Sequence, residues 1–196
     1  PVQEKKKIVW DGLTDSNLIN TVKNHIYFYS GVTKKSCMNL NIEIKKVAND
    51  LMTNRTNFRN LDTYIYIHIN SFGGSVFAAL AAIDTIVSNP IPIISIVEGG
   101  AASAATLISC VCHERKITPN SFMLVHQLSS GFWGKMEEIK DEFKNLKKLM
   151  KTLSKIYKKH TKIDESEDTT LKDLLKRDLW LSSRECLKYG MVDLVE

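Results

Sequence analysis

The chain has 196 residues, of which 43% are hydrophobic, 25% charged and 8% aromatic, which is the composition of one globular domain. A chain of this length buries roughly 70% of the surface its unfolded form exposes, so it can hold a core without disulfides or metal, and disorder, collagen and a disulfide scaffold are excluded. The net charge of +5 comes mostly from lysines, many of which share one helical segment with Glu and Asp, whereas phosphate and base readout would favour arginine and a compact basic patch, so nucleic-acid binding is not expected.

Cys37, Cys110, Cys112 and Cys186 show no CxxC spacing and read as reduced thiols in a reducing compartment. The N-terminus, Pro1 to Lys7 and then polar through Asn24, reads as carrying no secretory signal. The most apolar window, Ile91 to Cys112, is interrupted by Pro92, Glu98 and Gly99-Gly100 and fits a buried strand, turn and helix better than a membrane span.

In chain order, Ile26 to Tyr29 is a short β-branched and aromatic strand stopped by Ser30-Gly31, and Met38 to Met52 is an amphipathic helix. Thr63 to Asn70 is a buried strand ended by Ser71-Phe72-Gly73-Gly74, and Ser75 to Val87 is helical. Ile91 to Val97 is the next strand, followed by a small-residue turn from Glu98 to Ala102 and a helix from Ser103 to about Cys112; Met123 to His126 is another short strand. Strands alternating with helices at this spacing predict an α/β domain with a largely parallel sheet, whose functional residues sit at strand ends.

From Lys135 to about Lys159 apolar residues fall at Met136, Ile139, Phe143, Leu146, Met150, Leu153 and Tyr157, a heptad stripe backed by lysines and carboxylates. A helix this long, roughly 37 Å, exceeds what the domain needs to cover its own core, so it is expected to project, the alternative being an ordinary long core helix with a solvated charged face. Further on, Ser182 and Glu185 form a capping-box pattern for a short helix running to Tyr189 and ending at Gly190 in a left-handed cap.

Two turns carry backbone groups that could face a ligand. At Gly73-Gly74 the absence of side chains allows close approach to the main chain. At Gly99 to Ser103 small residues permit a tight turn, with Ser103 in the first helical turn, either as a simple N-cap or as a nucleophile. Acyl transfer by serine needs a base, a carboxylate to orient it and N–H donors for the oxyanion. Of the five histidines, His126 ends an apolar strand at a sheet edge. Carboxylate candidates are more numerous, and Asp178 stands among apolar neighbours Leu179, Trp180 and Leu181. Cys110, Cys112 and His113 lie too close on one helix to converge on a metal, and Gly73-Gly74 lacks a Walker lysine and the third glycine of a dinucleotide fingerprint.

At these residues the sequence resembles the proteolytic subunit of the Clp (caseinolytic) protease, a ClpP-type serine peptidase, from about Asn24 to Val195. Four blocks occur in the family's order: Tyr64 to Val76, Gly100 to Ser103, Pro119 to Gln127, and Arg177 to Ser182. The resemblance implies Ser103 as nucleophile, His126 as general base and then acid, Asp178 as orienting carboxylate, and the N–H groups of Gly74 and Ala104 as oxyanion hole. It further implies a single domain over 1–196 with the crotonase-like ClpP fold, an axial docking segment over 1–23, and a handle over about 127–160. Two stacked heptamers would enclose a chamber for unfolded polypeptide, gated by an AAA+ unfoldase, with no cofactor or metal in the peptidase and no nucleic-acid or membrane partner. The implied location is cytoplasmic, in a bacterial or phage-infected cell, or an organelle matrix or stroma. The chain departs from the family pattern at Phe72, where proline is usual, at Ala104 and Ala105 in place of Met and Gly, at Leu128 in place of proline, and at Lys176 in place of an acidic residue. Two other functions share these features: a non-catalytic ring subunit that assembles with an active paralogue, and a crotonase-like acyl-CoA enzyme.

Overall fold

The computed structural model describes residues 18–54, 64–129, 131, 133–165 and 169–196. Strands β1 (Leu18–Val22) and β2 (His25–Tyr29) form an antiparallel hairpin. Helix α1 (Lys34–Asn54) follows, then β3 (Ile65–Ser71), α2 (Val76–Val87), β4 (Ile93–Ala102), α3 (Ala104–Cys110), β5 (Glu114–Ile117) and β6 (Phe122–Leu124). The long helix α4 (Met136–His160) leads to α5 (Leu171–Leu175), β7 (Trp180–Ser182), α6 (Ser183–Lys188) and β8 (Leu194–Val195). The expected α/β architecture is present: β2, β3, β4, β5 and β8 pair in parallel, and among the described residues antiparallel pairing is confined to β1 with β2 and β6 with β7.

Side chains alternate across the sheet, so Ile26 and Phe28 of β2 and Ile65, Ile67 and Ile69 of β3 share one face. They are fully buried in one core with Leu40, Ile44 and Val47 of α1 and Ala79, Ala82 and Ile83 of α2. Helix α1 begins four residues before the expected Met38, because Thr33 and Ser36 cap it reciprocally: each side-chain oxygen accepts from the other's backbone N–H, at 3.0 and 2.9 Å. The Ser182–Glu185 capping box and a left-handed Gly190, φ 61°, occur as expected.

Strand β4 corrects the expected turn at Glu98 to Ala102. The chain stays extended to Ala102, but its register on β3 slips between Ile69 and Ser71, and Gly99 takes a φ of 77° that favours glycine. This bulge divides β4: Ile94 to Val97 pair with β5, while Gly100 to Ala102 pair with β6. The forked strand brings β6, and the residues following it, beside the start of α3.

Helix α4 changes character along its length. Its C-terminal half is anchored, with Leu153 and Tyr157 buried. On the N-terminal half the same apolar stripe lies open, Met136 being 67%, Ile139 44% and Phe143 58% exposed. Glu137 and Glu138 in the first turn and Lys158 and Lys159 in the last complement the helix dipole, so the open half is a well-specified helix whose apolar face packs against no other element among the described residues.

Candidate active site

Ser103 stands at the N-cap position of α3, yet its side chain makes no capping hydrogen bond. Its backbone is at φ 55°, ψ −124°, a conformation that costs a non-glycine residue about 1–3 kcal/mol and persists only where its surroundings impose it. The simple N-cap explanation therefore fails, since a cap would be served by extended backbone and a bonded hydroxyl. The Ser103 N–H donates to the Leu124 carbonyl at 2.8 Å, tying the turn to β6, and its own carbonyl accepts from Thr106 N–H at 3.0 Å.

From the other side the turn rests on glycine. A Cβ on Gly73, whose φ is 90°, would stand 2.5 Å from the Ala102 carbonyl oxygen and 2.8 Å from Ser103 Cβ. We expect Gly73→Ala to lower stability by about 1–3 kcal/mol through overpacking alone, read as a shift of the urea midpoint, and to abolish whatever turnover depends on Ser103. An unchanged midpoint with unchanged activity would show that the turn relaxes freely. Gly74, φ 144°, is pinned by a bridge to Val32, with Val32 N–H donating to Gly73 C=O at 2.8 Å and Ser75 N–H donating to Val32 C=O at 2.7 Å. Among the described residues neither the Gly74 N–H nor the Ala104 N–H donates a hydrogen bond.

Ser103, Ala104 and His126 line one small cavity of about 20 Å3, walled by Val76, Leu107, Leu128 and Met150. His126 lies two residues past β6 and is half-buried. The chain beyond it is held by Gln127 N–H donating to Leu175 C=O at 2.9 Å and Leu128 N–H donating to Met150 Sδ at 3.3 Å. A proline at position 128 could not make the second bond. Of the five histidines only His126 borders this cavity. His25 and His68 hydrogen-bond to each other at 2.8 Å, and His68 to Glu98 at 2.7 Å, on the β2–β3–β4 surface; His113 and His160 border a separate cleft beside Arg115.

Asp178 is not among the cavity's walls. It is exposed, contrary to the apolar setting expected from its neighbours, of which Leu179 is exposed too. Its place in the topology is nonetheless specific. Leu124 pairs with Trp180 at the last rung of the antiparallel β6–β7 ladder, and His126 and Asp178 each lie two residues beyond that rung on their strands. Among the described residues no hydrogen bond joins Ser103, His126 and Asp178. Phe72, one of the departures, stacks edge-on against Trp180 with ring centroids 5.8 Å apart, so it helps position β7 beside Gly100.

All four cysteines are buried and unbridged. Burial pushes the thiols of Cys110, Cys112 and Cys186 up to about 12, so none offers a thiolate near neutrality. Among the described residues no group of three or more His, Cys, Asp and Glu side chains could hold a metal, and no helix is long and apolar enough to cross a membrane. A strained serine with an uncommitted hydroxyl, a histidine on the same cavity and two undirected N–H groups are the parts from which acyl transfer can be assembled.

A profile of the family described as Clp protease matches residues 21–196, and the chain belongs to that family. The sequence is 36% identical over 139 residues to the ATP-dependent Clp protease proteolytic subunit of Deinococcus radiodurans, a match covering 70% of this chain and 67% of that protein.

Proposed function

We propose that this chain is a serine endopeptidase of the Clp type. Ser103 Oγ attacks the scissile carbonyl as His126 takes its proton, and the tetrahedral oxyanion is met by the N–H groups of Gly74 and Ala104. His126 then returns the proton to the leaving amine, and water hydrolyses the acyl-enzyme by the same path. The observation that carries this reading is Ser103 itself: a serine held at φ 55° with a side chain that caps nothing, on one cavity with His126. Membership of the Clp protease family supports it, as does the relative's designation as an ATP-dependent proteolytic subunit. No cofactor is required by these steps.

In this reading the substrate is unfolded polypeptide, admitted to a chamber enclosed by two stacked heptamers by an AAA+ unfoldase, in the cytoplasm. The open apolar half of α4 supports an assembly in which a second subunit covers it. The axial segment proposed over 1–23 lies mostly outside the described residues.

In this reading Asp178 orients His126 once the strand ends draw together, and the two residues each lie two positions beyond the last β6–β7 rung. Catalytic hydrogen bonds are often long before substrate is bound. Asp178→Asn should lower turnover of a short fluorogenic peptide by up to about 10⁴-fold, as loss of the orienting carboxylate does in triads. A fall of less than about tenfold would assign the orienting role to another carboxylate. Assaying the native chain on peptide and on acyl-CoA esters side by side tests the reaction class: hydrolysis of CoA esters without peptide cleavage would replace the peptidase reading with a crotonase-like one, and neither activity would favour a non-catalytic ring subunit.

A further inference from the structure

Behind the serine turn lies a buried pair of hydroxyls. Thr106 Oγ1 is 2.6 Å from the Ser103 carbonyl oxygen and 2.6 Å from the Tyr157 hydroxyl. Both residues are buried, Thr106 on α3 and Tyr157 on the anchored half of α4. The direction of the chain follows from counting protons. A carbonyl only accepts, and a threonine hydroxyl has a single proton to give, so Thr106 donates to Ser103 and Tyr157 must donate to Thr106. Burial raises the Tyr157 phenol above its ordinary value, so the donor proton stays in place.

The consequence lies on the other edge of the same peptide. The Ser103 carbonyl and the Ala104 N–H belong to one planar unit in which C=O and N–H point in opposite directions, so fixing the oxygen fixes the N–H. Two donors hold that oxygen, the Thr106 N–H and the Thr106 hydroxyl, and the second is polarised by Tyr157. Tyr157 also borders the cavity shared by Ser103 and His126. We infer that Thr106 and Tyr157 are positioning residues, which lock the Ser103–Ala104 peptide from α4 and so aim the Ala104 N–H at the developing oxyanion. The inference rests on the reading of Ser103 as nucleophile and Ala104 N–H as oxyanion donor. It gives α4 a direct hydrogen-bonded line to the site, so that a shift of the helix is felt at the donor rather than at substrate binding.

A buried tyrosine needs a hydroxyl partner wherever it sits. The test must therefore separate catalysis from packing, using the full chain with Tyr157→Phe, Thr106→Val and Thr106→Ser. Steady-state cleavage of a short fluorogenic peptide gives kcat and KM separately, and a fluorophosphonate gives the rate at which Ser103 is modified. Thr106→Val should lower kcat by about ten- to a hundredfold, the scale of a misplaced catalytic group, with KM within about twofold. Tyr157→Phe should lower kcat by about three- to tenfold, Ser103 modification should slow in parallel, and Thr106→Ser should stay within about threefold of the native chain. Unchanged kcat and unchanged modification rate in Tyr157→Phe and Thr106→Val, with only Tm lowered, would reduce the pair to core packing and overturn the inference. If Thr106→Val fails to fold, Tyr157→Phe decides alone, since it keeps the ring. A native chain whose Ser103 takes no label, and whose Ser103→Ala variant stays active, would remove the nucleophile reading and this inference with it; a labelled Ser103 indifferent to both hydroxyls removes only the positioning.

Discussion

Ser103→Ala is expected to abolish short-peptide cleavage, with a loss of about 10⁶-fold in kcat, while leaving secondary structure and assembly intact. The expectation follows from what the hydroxyl does in the structure. It caps no helix, so removing it costs no cap bond, and alanine is no larger than the serine it replaces. The strained backbone is imposed by Leu124, Thr106 and the close-packed Gly73, none of which depends on the side-chain oxygen. Stability should therefore change little, or rise, while activity vanishes. Activity above about a hundredth of native in purified Ser103→Ala would mean that another group attacks the substrate.

The second large effect is expected on assembly. Ile139→Lys places an ammonium within the open apolar stripe formed with Met136 and Phe143. In the isolated subunit this substitution should cost little, because Ile139 is 44% exposed. If a second subunit covers the stripe, the same charge is buried without a partner, at a cost of several kcal/mol, roughly 3–5 for an uncompensated buried charge. Light scattering should then show single rings or smaller species with native helicity, and peptidase activity should fall because α4 also bears on Ser103 through Tyr157. Unchanged mass with unchanged activity would show that the stripe faces solvent in the working assembly. Loss of helicity would contradict the exposure of Ile139 and place it in the subunit's own core.

Elements with local chemical signals were legible in the sequence. Helix α2 begins after Ser75, whose side chain accepts from Ala78 N–H at 3.3 Å, and α6 begins at its capping box. Strand β3 was legible because isoleucine alternates with Tyr66 and His68 in a run that reads as a buried strand, and none of its seven residues is exposed. What the sequence did not disclose was held by partners distant in the chain. Strand β5, Glu-Arg-Lys-Ile, has no apolar pattern; it is a strand because β4 and β8 flank it, and because Arg115 is fixed by Asp193. Burial alone would raise the Asp193 carboxyl, yet Arg115 holds it below the usual range. Strand β1 alternates exposed and half-buried residues and depends on its hairpin partner.

The candidate site was legible to a similar degree. Ser103 and His126 come together because β4 forks, a consequence of Gly99 that reads in the sequence only as a small-residue turn. Asp178 is marked out in the sequence by its apolar neighbours and by resemblance to a family segment, and the first of these grounds fails in the structure, where the residue is exposed two positions before β7. Tyr157 read as the last residue of an apolar stripe; that its hydroxyl reaches Thr106, 51 positions away, depends on how α4 packs on α3. No local pattern carries that contact.

The most direct test of the account is the intact mass of the native chain after treatment with a fluorophosphonate, followed by peptide mapping of the adduct. A strained serine poised beside a histidine should take one label per chain, the label should map to Ser103, and peptide cleavage should disappear in proportion to it. A label on any other residue, or a chain that cleaves peptides at full rate with Ser103 unmodified after such treatment, would contradict the assignment of Ser103 as the nucleophile.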